Sequence, residues 1–119
     1  IKDNHIATSG SIQDAVSILR KAVGRGMIIE VEVETLDEFM EALNTSADVI
    51  MLDNMSNEVM KKCVELNEGK KKLEASGNME LKKVRSVALL GVDYISVGSL
   101  THSYKALDIS LKFRKSNFR

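Results

Sequence analysis

Glu30, Glu32 and Glu34 recur at every second position of a segment that also holds Ile28, Ile29, Val31 and Val33. The β-branched content and the alternation predict a strand over 27–33, and a strand sets all three carboxylates on one face. On an arbitrary strand such a face is simply solvated. Here flanking helices are expected to cover the outer face, which leaves the glutamates facing inward. Crowded carboxylates repel one another unless cations or a polar ligand compensate, so this face reads as a substrate or Mg²⁺ site. Asp53 follows the most apolar run of the chain, Asp48-Val49-Ile50-Met51-Leu52. Ser56 or Asn57 can cap the helix that comes next, which leaves Asp53 for chemistry. Ser76-Gly77-Asn78 is a short loop ahead of a predicted helix, where backbone N–H groups can hold a phosphate. Gly98-Ser99 forms a second such loop, and paired loops after late barrel strands are a recurrent phosphate site.

The remaining candidates carry plainer readings. Lys2 is a cation at the exit of a predicted strand, and most lysines there are solvated. His5 and His102 lack a zinc-binding spacing such as H-x-x-x-H. Cys63 lies on the apolar face of a helix and reads as core. Met40, Met51, Met55, Met60 and Met79 read as packing residues.

The elements that must position these groups alternate. Ser11 caps a helix with Ile12, Ala15, Val16, Leu19, Ala22 and Val23 at helical spacing, ended by Gly24 and Gly26. Thr35 and Glu38 have the spacing of a capping box and open a second helix with Leu36, Phe39, Met40 and Leu43. The run 48–52 reads as a strand buried on both faces. A third helix holds Val59, Met60, Cys63, Val64 and Leu66. Leu73-Glu74-Ala75 is a short strand, and Asn78 is placed to cap a fourth helix reaching Leu90. Tyr94-Ile95-Ser96-Val97 is the last strand of the series. Strand ends near Lys2, Val33, Leu52, Ala75 and Val97 therefore alternate with helices, which implies a parallel sheet with right-handed crossovers. Five strands are too few to close an eight-stranded barrel. Leu107, Ile109, Leu111 and Phe113 alternate with polar residues and predict a further, half-buried strand. The expected organisation is one domain over 1–114 and a frayed tail over 115–119.

Bulk properties narrow the function classes. The chain has 119 residues, enough for one small core. Its 17 basic and 17 acidic residues cancel, so no net field draws it to nucleic acid or membrane. No apolar run approaches the roughly 20 residues that span a bilayer. A single cysteine precludes an internal disulfide and suits a reducing cytoplasm. The opening at Ile1 without methionine, in full stride at a strand end, carries the expectation of a piece of a larger protein.

Five segments in register resemble one family. They are Ile1-Lys2-Asp3-Asn4-His5-Ile6, Ile29-Glu30-Val31-Glu32-Val33, the stretch from Ala47 to Met55, Leu73-Glu74-Ala75-Ser76-Gly77-Asn78, and the stretch from Gly91 to Ser103. Their order and spacing are similar to those of quinolinate phosphoribosyltransferases from residue 1 to about 114. The resemblance implies the later part of an irregular, incompletely closed α/β barrel with parallel strands and a carboxy-terminal alternating strand. It implies transfer of a phosphoribosyl group from phosphoribosyl pyrophosphate to quinolinate with decarboxylation, giving nicotinate mononucleotide, pyrophosphate and CO₂ in NAD biosynthesis. Lys2 would contact the anionic substrates. Glu32 and Asp53 would lie near the ribose and Mg²⁺, and Ser76, Gly77, Asn78 and Gly98 would hold phosphate. Many members have a second glycine where Asn78 stands, so the Asn side chain is expected to serve the helix as a cap. The family's quinolinate-binding arginines lie upstream, one of them lent by a dimer partner. The expected state of the whole enzyme is a homodimer or higher homo-oligomer.

Three rival readings remain at this level. A Schiff-base aldolase would use Lys2 as nucleophile. A sibling phosphoribosyltransferase would take another pyridine or a molybdenum-related substrate. An inactive split-gene product would only pair with another chain.

Overall fold

The computed structural model describes residues 1–98. The alternating stretch ending at Phe113, the 115–119 tail, Ser99 and His102 lie outside the described residues. Four strands, β1 (Glu30–Val33), β2 (Val49–Asp53), β3 (Lys72–Ser76) and β4 (Tyr94–Ile95), pair in parallel and in chain order. Helices α1 (Asp3–Ser9) and α2 (Ile12–Val23) and a 3₁₀ turn (Gly24–Gly26) precede them. Helices α3 (Leu36–Leu43), α4 (Asn57–Asn67) and α5 (Leu81–Ala88) make the crossovers. Sequential order without reversal is the arrangement of a barrel wall, in which each right-handed crossover steps the same way. The described residues form an α/β arc of that kind, open at both edges among those residues.

Register explains where the core sits. Val31, Ile50 and Leu73 form one row across the sheet, and Val33, Leu52 and Ala75 form the next. All six are buried, and they join Phe39, Ala42, Met60, Cys63 and Val87 from the covering helices. Burying the Val, Ile, Leu, Phe and Met side chains among them stabilises by about 1.5–3 kcal/mol each. The alternate positions, Glu32, Met51 and Glu74, share the opposite face. There β2 departs from expectation. Only Ile50 and Leu52 are buried, while Val49, Met51 and Asp53 are half-buried, because the helices cover one face of this four-stranded arc.

Local chemistry sets the element ends. Ser11 accepts from the Asp14 N–H, and Ser56 from the Val59 N–H. Thr35 and Glu38 form the expected capping box. Ile1 pairs beside β1, its ammonium donating to Glu30 O at 2.5 Å and its carbonyl accepting from Glu32 N at 2.9 Å. The strand end near Lys2 is therefore where it was expected.

Four features differ from the sequence reading. Helix α1 was not anticipated, since Asp3 to Ser9 carries no apolar stripe; Thr8 and Ser9 donate back to Asn4 O and His5 O. β1 starts at Glu30 instead of Met27, because the ladder begins where Val49 faces it. Helix α5 starts at Leu81 after Glu80, not at Asn78. Asn78 has φ +40°, a left-handed geometry, whereas an N-cap residue is extended. The fourth strand is two residues long, and Ser96 N only adds a bond to Ala75 O.

Arg20 and Asp48 lock the amino end of the sheet. The Arg20 guanidinium donates to Gly24 O, Met27 O, Ser46 O and, at 2.6 Å, to Asp48 Oδ2. Asp48 also accepts from the Ile29 N–H at 2.7 Å. The Ile29 bond first, and Arg20 second, hold the Asp48 carboxyl below the usual range. A depressed folded pKa gives stability that is present above the unfolded value near 3.9 and lost as pH falls through the folded one. Asp48→Asn should therefore lower denaturation midpoints at neutral pH and flatten the acid limb of the stability curve. A curve parallel to wild type between pH 2 and 5, on the order of the carboxylate range, would show that the latch carries no linkage.

Candidate active site

Parallel strands in register deliver their carboxyl ends to one edge, and the candidate residues collect there. One carboxylate oxygen each from Glu32, Glu34 and Asp53 lie within 4.8 Å of one another. The cause is the pairing of β1 with β2. Glu32 faces Met51, and two residues further on Glu34 and Asp53 emerge on the same side. Lys2 Nζ stands 3.5 Å from Glu32 Oε2, reaching from an exposed stem to a carboxylate only 20% exposed. An exposed pair of this kind contributes at most about 1 kcal/mol to stability. Its consequence is placement of a cation at the rim of the acidic cluster.

The two loops beside this cluster fit closely together. Gly77 has φ +82°. A Cβ at that position would lie 2.5 Å from Asn54 N and 2.6 Å from Asp53 Oδ1, so only glycine fits. Asn54 N donates to Ser76 O at 3.0 Å, and Ser76 is in register with Asp53. Asn54 and Asn78 both take left-handed backbone, at φ +53° and +40°. Asn adopts this region more readily than other non-glycine residues, by virtue of its short polar side chain. Turns that mix left- and right-handed residues point successive N–H groups into an anion-binding concavity. An open cavity of about 610 Å³, lined by Asp53, Asn54, Gly77 and Asn78, lies over the loop. Gly98 comes three residues after Ile95, at the exit of the strand beside β3.

The structure thus brings Lys2, Glu32, Asp53, Ser76, Gly77 and Asn78 to one edge, with Gly98 on the adjacent strand exit. Glu34, read from the sequence with Glu30 and Glu32 as one carboxylate face, joins Glu32 and Asp53. Glu30 does not join them. Its Oε1 is buried without a donor, and burial first, then the neighbouring Glu74 carboxyl, raise its pKa. A proton shared with Glu74 would satisfy it. Glu74 also accepts from Ser96 Oγ. Sequence reasoning passed over Glu74. The period of two that buries Leu73 and Ala75 was the signal that Glu74 shares a face with Ser76. His5 Nδ1 accepts from Lys2 N at 3.2 Å, a local role. Cys63 is fully buried and its thiol is pushed up to about 11 by burial, which leaves it protonated and inert.

The carboxylates and the close-packed Gly77 loop thus share one strand edge. Residues 1–112 match the family model described as quinolinate phosphoribosyl transferase, C-terminal domain. The chain belongs to the quinolinate phosphoribosyltransferase family. It is 45% identical over 117 residues to the "Probable nicotinate-nucleotide pyrophosphorylase (carboxylating)" of Bacillus subtilis (strain 168), covering 98% of this chain and 40% of that protein. It is 42% identical over 130 residues to the chloroplastic nicotinate-nucleotide pyrophosphorylase (carboxylating) of Oryza sativa subsp. japonica, covering 94% of this chain and 35% of that one. The crystal structure of NadC from Streptococcus pyogenes superimposes with a TM-score of 0.82 at 43% identity, over 95% of this chain and 40% of that one. The chain therefore spans about 40% of the length of these quinolinate phosphoribosyltransferase relatives.

Gly77→Val should show how tightly the cradle is built. A side chain there must displace Asn54 backbone or the Asp53 carboxylate, and overpacking of this kind costs typically about 1–3 kcal/mol. Amide resonances of Asn54 and Asn78 should move strongly while those of Arg20 and Asp48 stay. Unmoved Asn54 and Asn78 resonances would mean that the close approach is absent in solution.

Proposed function

We propose that this chain supplies part of the active site of an enzyme that transfers the phosphoribosyl group of phosphoribosyl pyrophosphate to quinolinate. The products are nicotinate mononucleotide, pyrophosphate and CO₂. The observation that carries the reading is the carboxylate group of Glu32, Glu34 and Asp53 standing beside the Gly77 cradle on one strand edge, in a chain of this family.

In this reading Ser76, Gly77, Asn78 and Gly98 hold the phosphate of the donor through backbone N–H groups and the serine hydroxyl. Departure of pyrophosphate leaves positive charge on the sugar, which Glu32 and Asp53 stabilise electrostatically. The pyridine nitrogen of quinolinate bonds to the anomeric carbon as the bond to pyrophosphate breaks, the 2-carboxylate leaves as CO₂, and the electron pair left on ring carbon C2 takes a proton from water. Lys2 meets a substrate carboxylate at the rim while its ammonium stays near Glu32. Glu32, Glu34 and Asp53 offer hard oxygen donors close enough to serve one divalent ion. Mg²⁺ bound there would supply charge compensation for the leaving group.

A dianionic substrate calls for more cations than Lys2, and the proposed source is the remainder of a longer protein together with a dimer partner. Among the described residues no helix is long and apolar enough to cross a membrane. We place the enzyme in the cytoplasm, whereas the names of plant relatives place those proteins in the chloroplast or the mitochondrion. The aldolase reading fits less well. A Schiff-base lysine is activated by an apolar pocket or a second cation, whereas the Lys2 side chain is 70% exposed beside a carboxylate.

In the protein that carries this chain, Glu32→Gln or Asp53→Asn should lower kcat by on the order of 10²-fold or more with a smaller change in KM. Glu30→Gln should cost far less, because Glu30 stands outside the carboxylate group. Equal losses at Glu30 and Glu32 would place the reactive register one step along β1. Wild-type rates in both Glu32 and Asp53 variants would remove the carboxylates from the mechanism.

A further inference from the structure

The cavity over the Gly77 loop continues into a second one of about 380 Å³ between the first turns of α4 and α5. Asn54, Gly77 and Asn78 line both. The second cavity is also lined by Lys83, the third residue of α5. Its position runs against the local rule. The amino end of a helix favours anions and disfavours cations, yet α5 has Lys82 and Lys83 in its first turn and no acidic residue there. Glu80 compensates Lys82 at 2.8 Å. Among the described residues no carboxylate lies within ion-pair distance of Lys83. Glu58 is the other charged residue lining the cavity. Its carboxylate is engaged at the start of α4 by its own backbone N–H and by the Ser56 hydroxyl.

We propose that Lys83 is an additional donor-binding residue, a cation that contacts the phosphate monoester seated on the Gly77–Asn78 loop. The inference rests on the phosphate reading of that loop and extends the site from backbone donors to one side chain. A flexible ammonium at the mouth of an open cradle supplies a charge-assisted bond that the backbone alone lacks. It acts on the bound phosphate and not on the reacting carbon, so it sets donor affinity and leaves the chemical step alone.

The test uses the protein that carries this chain, isotopically labelled, with ribose 5-phosphate and inorganic phosphate as probes. Calorimetry gives affinities, and the Gly77 and Asn78 amide resonances report occupancy of the loop. Wild type should shift both amides, and Lys83→Met should weaken ribose 5-phosphate by about tenfold. Lys82→Met, whose charge is already paired, should stay close to wild type. In turnover assays Lys83→Met should raise KM for phosphoribosyl pyrophosphate with kcat retained. If Lys83→Met binds ribose 5-phosphate like wild type while both amides still shift, the lysine has no such role and the loop reading stands. If neither amide shifts in wild type, the loop reading fails and the inference falls with it.

Discussion

Parallel pairing of β1, β2 and β3 in a single register is the constraint from which the site follows. Once Val33, Leu52 and Ala75 occupy one buried row, alternation leaves Glu32, Met51 and Glu74 on the other face. The next residues along each strand then leave the sheet at a common edge. Asp53 and Ser76 are paired there, and the crossing of their loops is tight enough to demand glycine at position 77. The hydrophobic rows thus determine which polar groups meet. A slip of one residue in β2 would bury Asp53 and turn Leu52 toward the ligand face.

The inner face gathers negative charge. Glu32, Glu34 and Asp53 stand together, with Lys2 paired to Glu32. Glu30 and Glu74 form a second carboxyl pair lower on the sheet. At the opposite end charges are matched differently. Arg20 spends its donors on three carbonyls and Asp48, and Lys71 Nζ donates to Thr45 O and Ala47 O. Hydrogen-bonded cations brace the amino end, while carboxylates collect at the carboxyl end. This division agrees with the general separation of stability and ligand faces in parallel β/α folds.

Much of this was legible in the sequence because it depends on local periodicity. The β-branched runs, the Ser11, Thr35 and Ser56 caps and the apolar faces of α2 and α3 all carry signals within a few residues. The placement of the candidate residues at one edge was legible for the same reason, since strand ends can be read from strand patterns. The misses are non-local. Helix α1 has no apolar stripe to betray it. Asn78 looked like a cap because Asn favours caps, but it also tolerates left-handed backbone, and the approach of Gly77 to Asn54 decides between the two. The half-buried face of β2 reflects which surface the helices cover, a property of the assembled sheet. Glu74 meets Glu30 across an intervening strand, which no short window of sequence displays.

The central claim is that one strand edge holds both ends of a phosphoribosyl donor. A crystal structure of the protein that carries this chain, grown with phosphoribosyl pyrophosphate and Mn²⁺ in place of Mg²⁺, tests it directly through the anomalous signal of the metal. The predicted result is a phosphate against the Gly77 and Asn78 N–H groups, with the ribose and the metal peak beside Glu32 and Asp53. A donor bound at the amino end of the sheet near Arg20 and Arg25, with the Gly77 loop bare, would contradict the account.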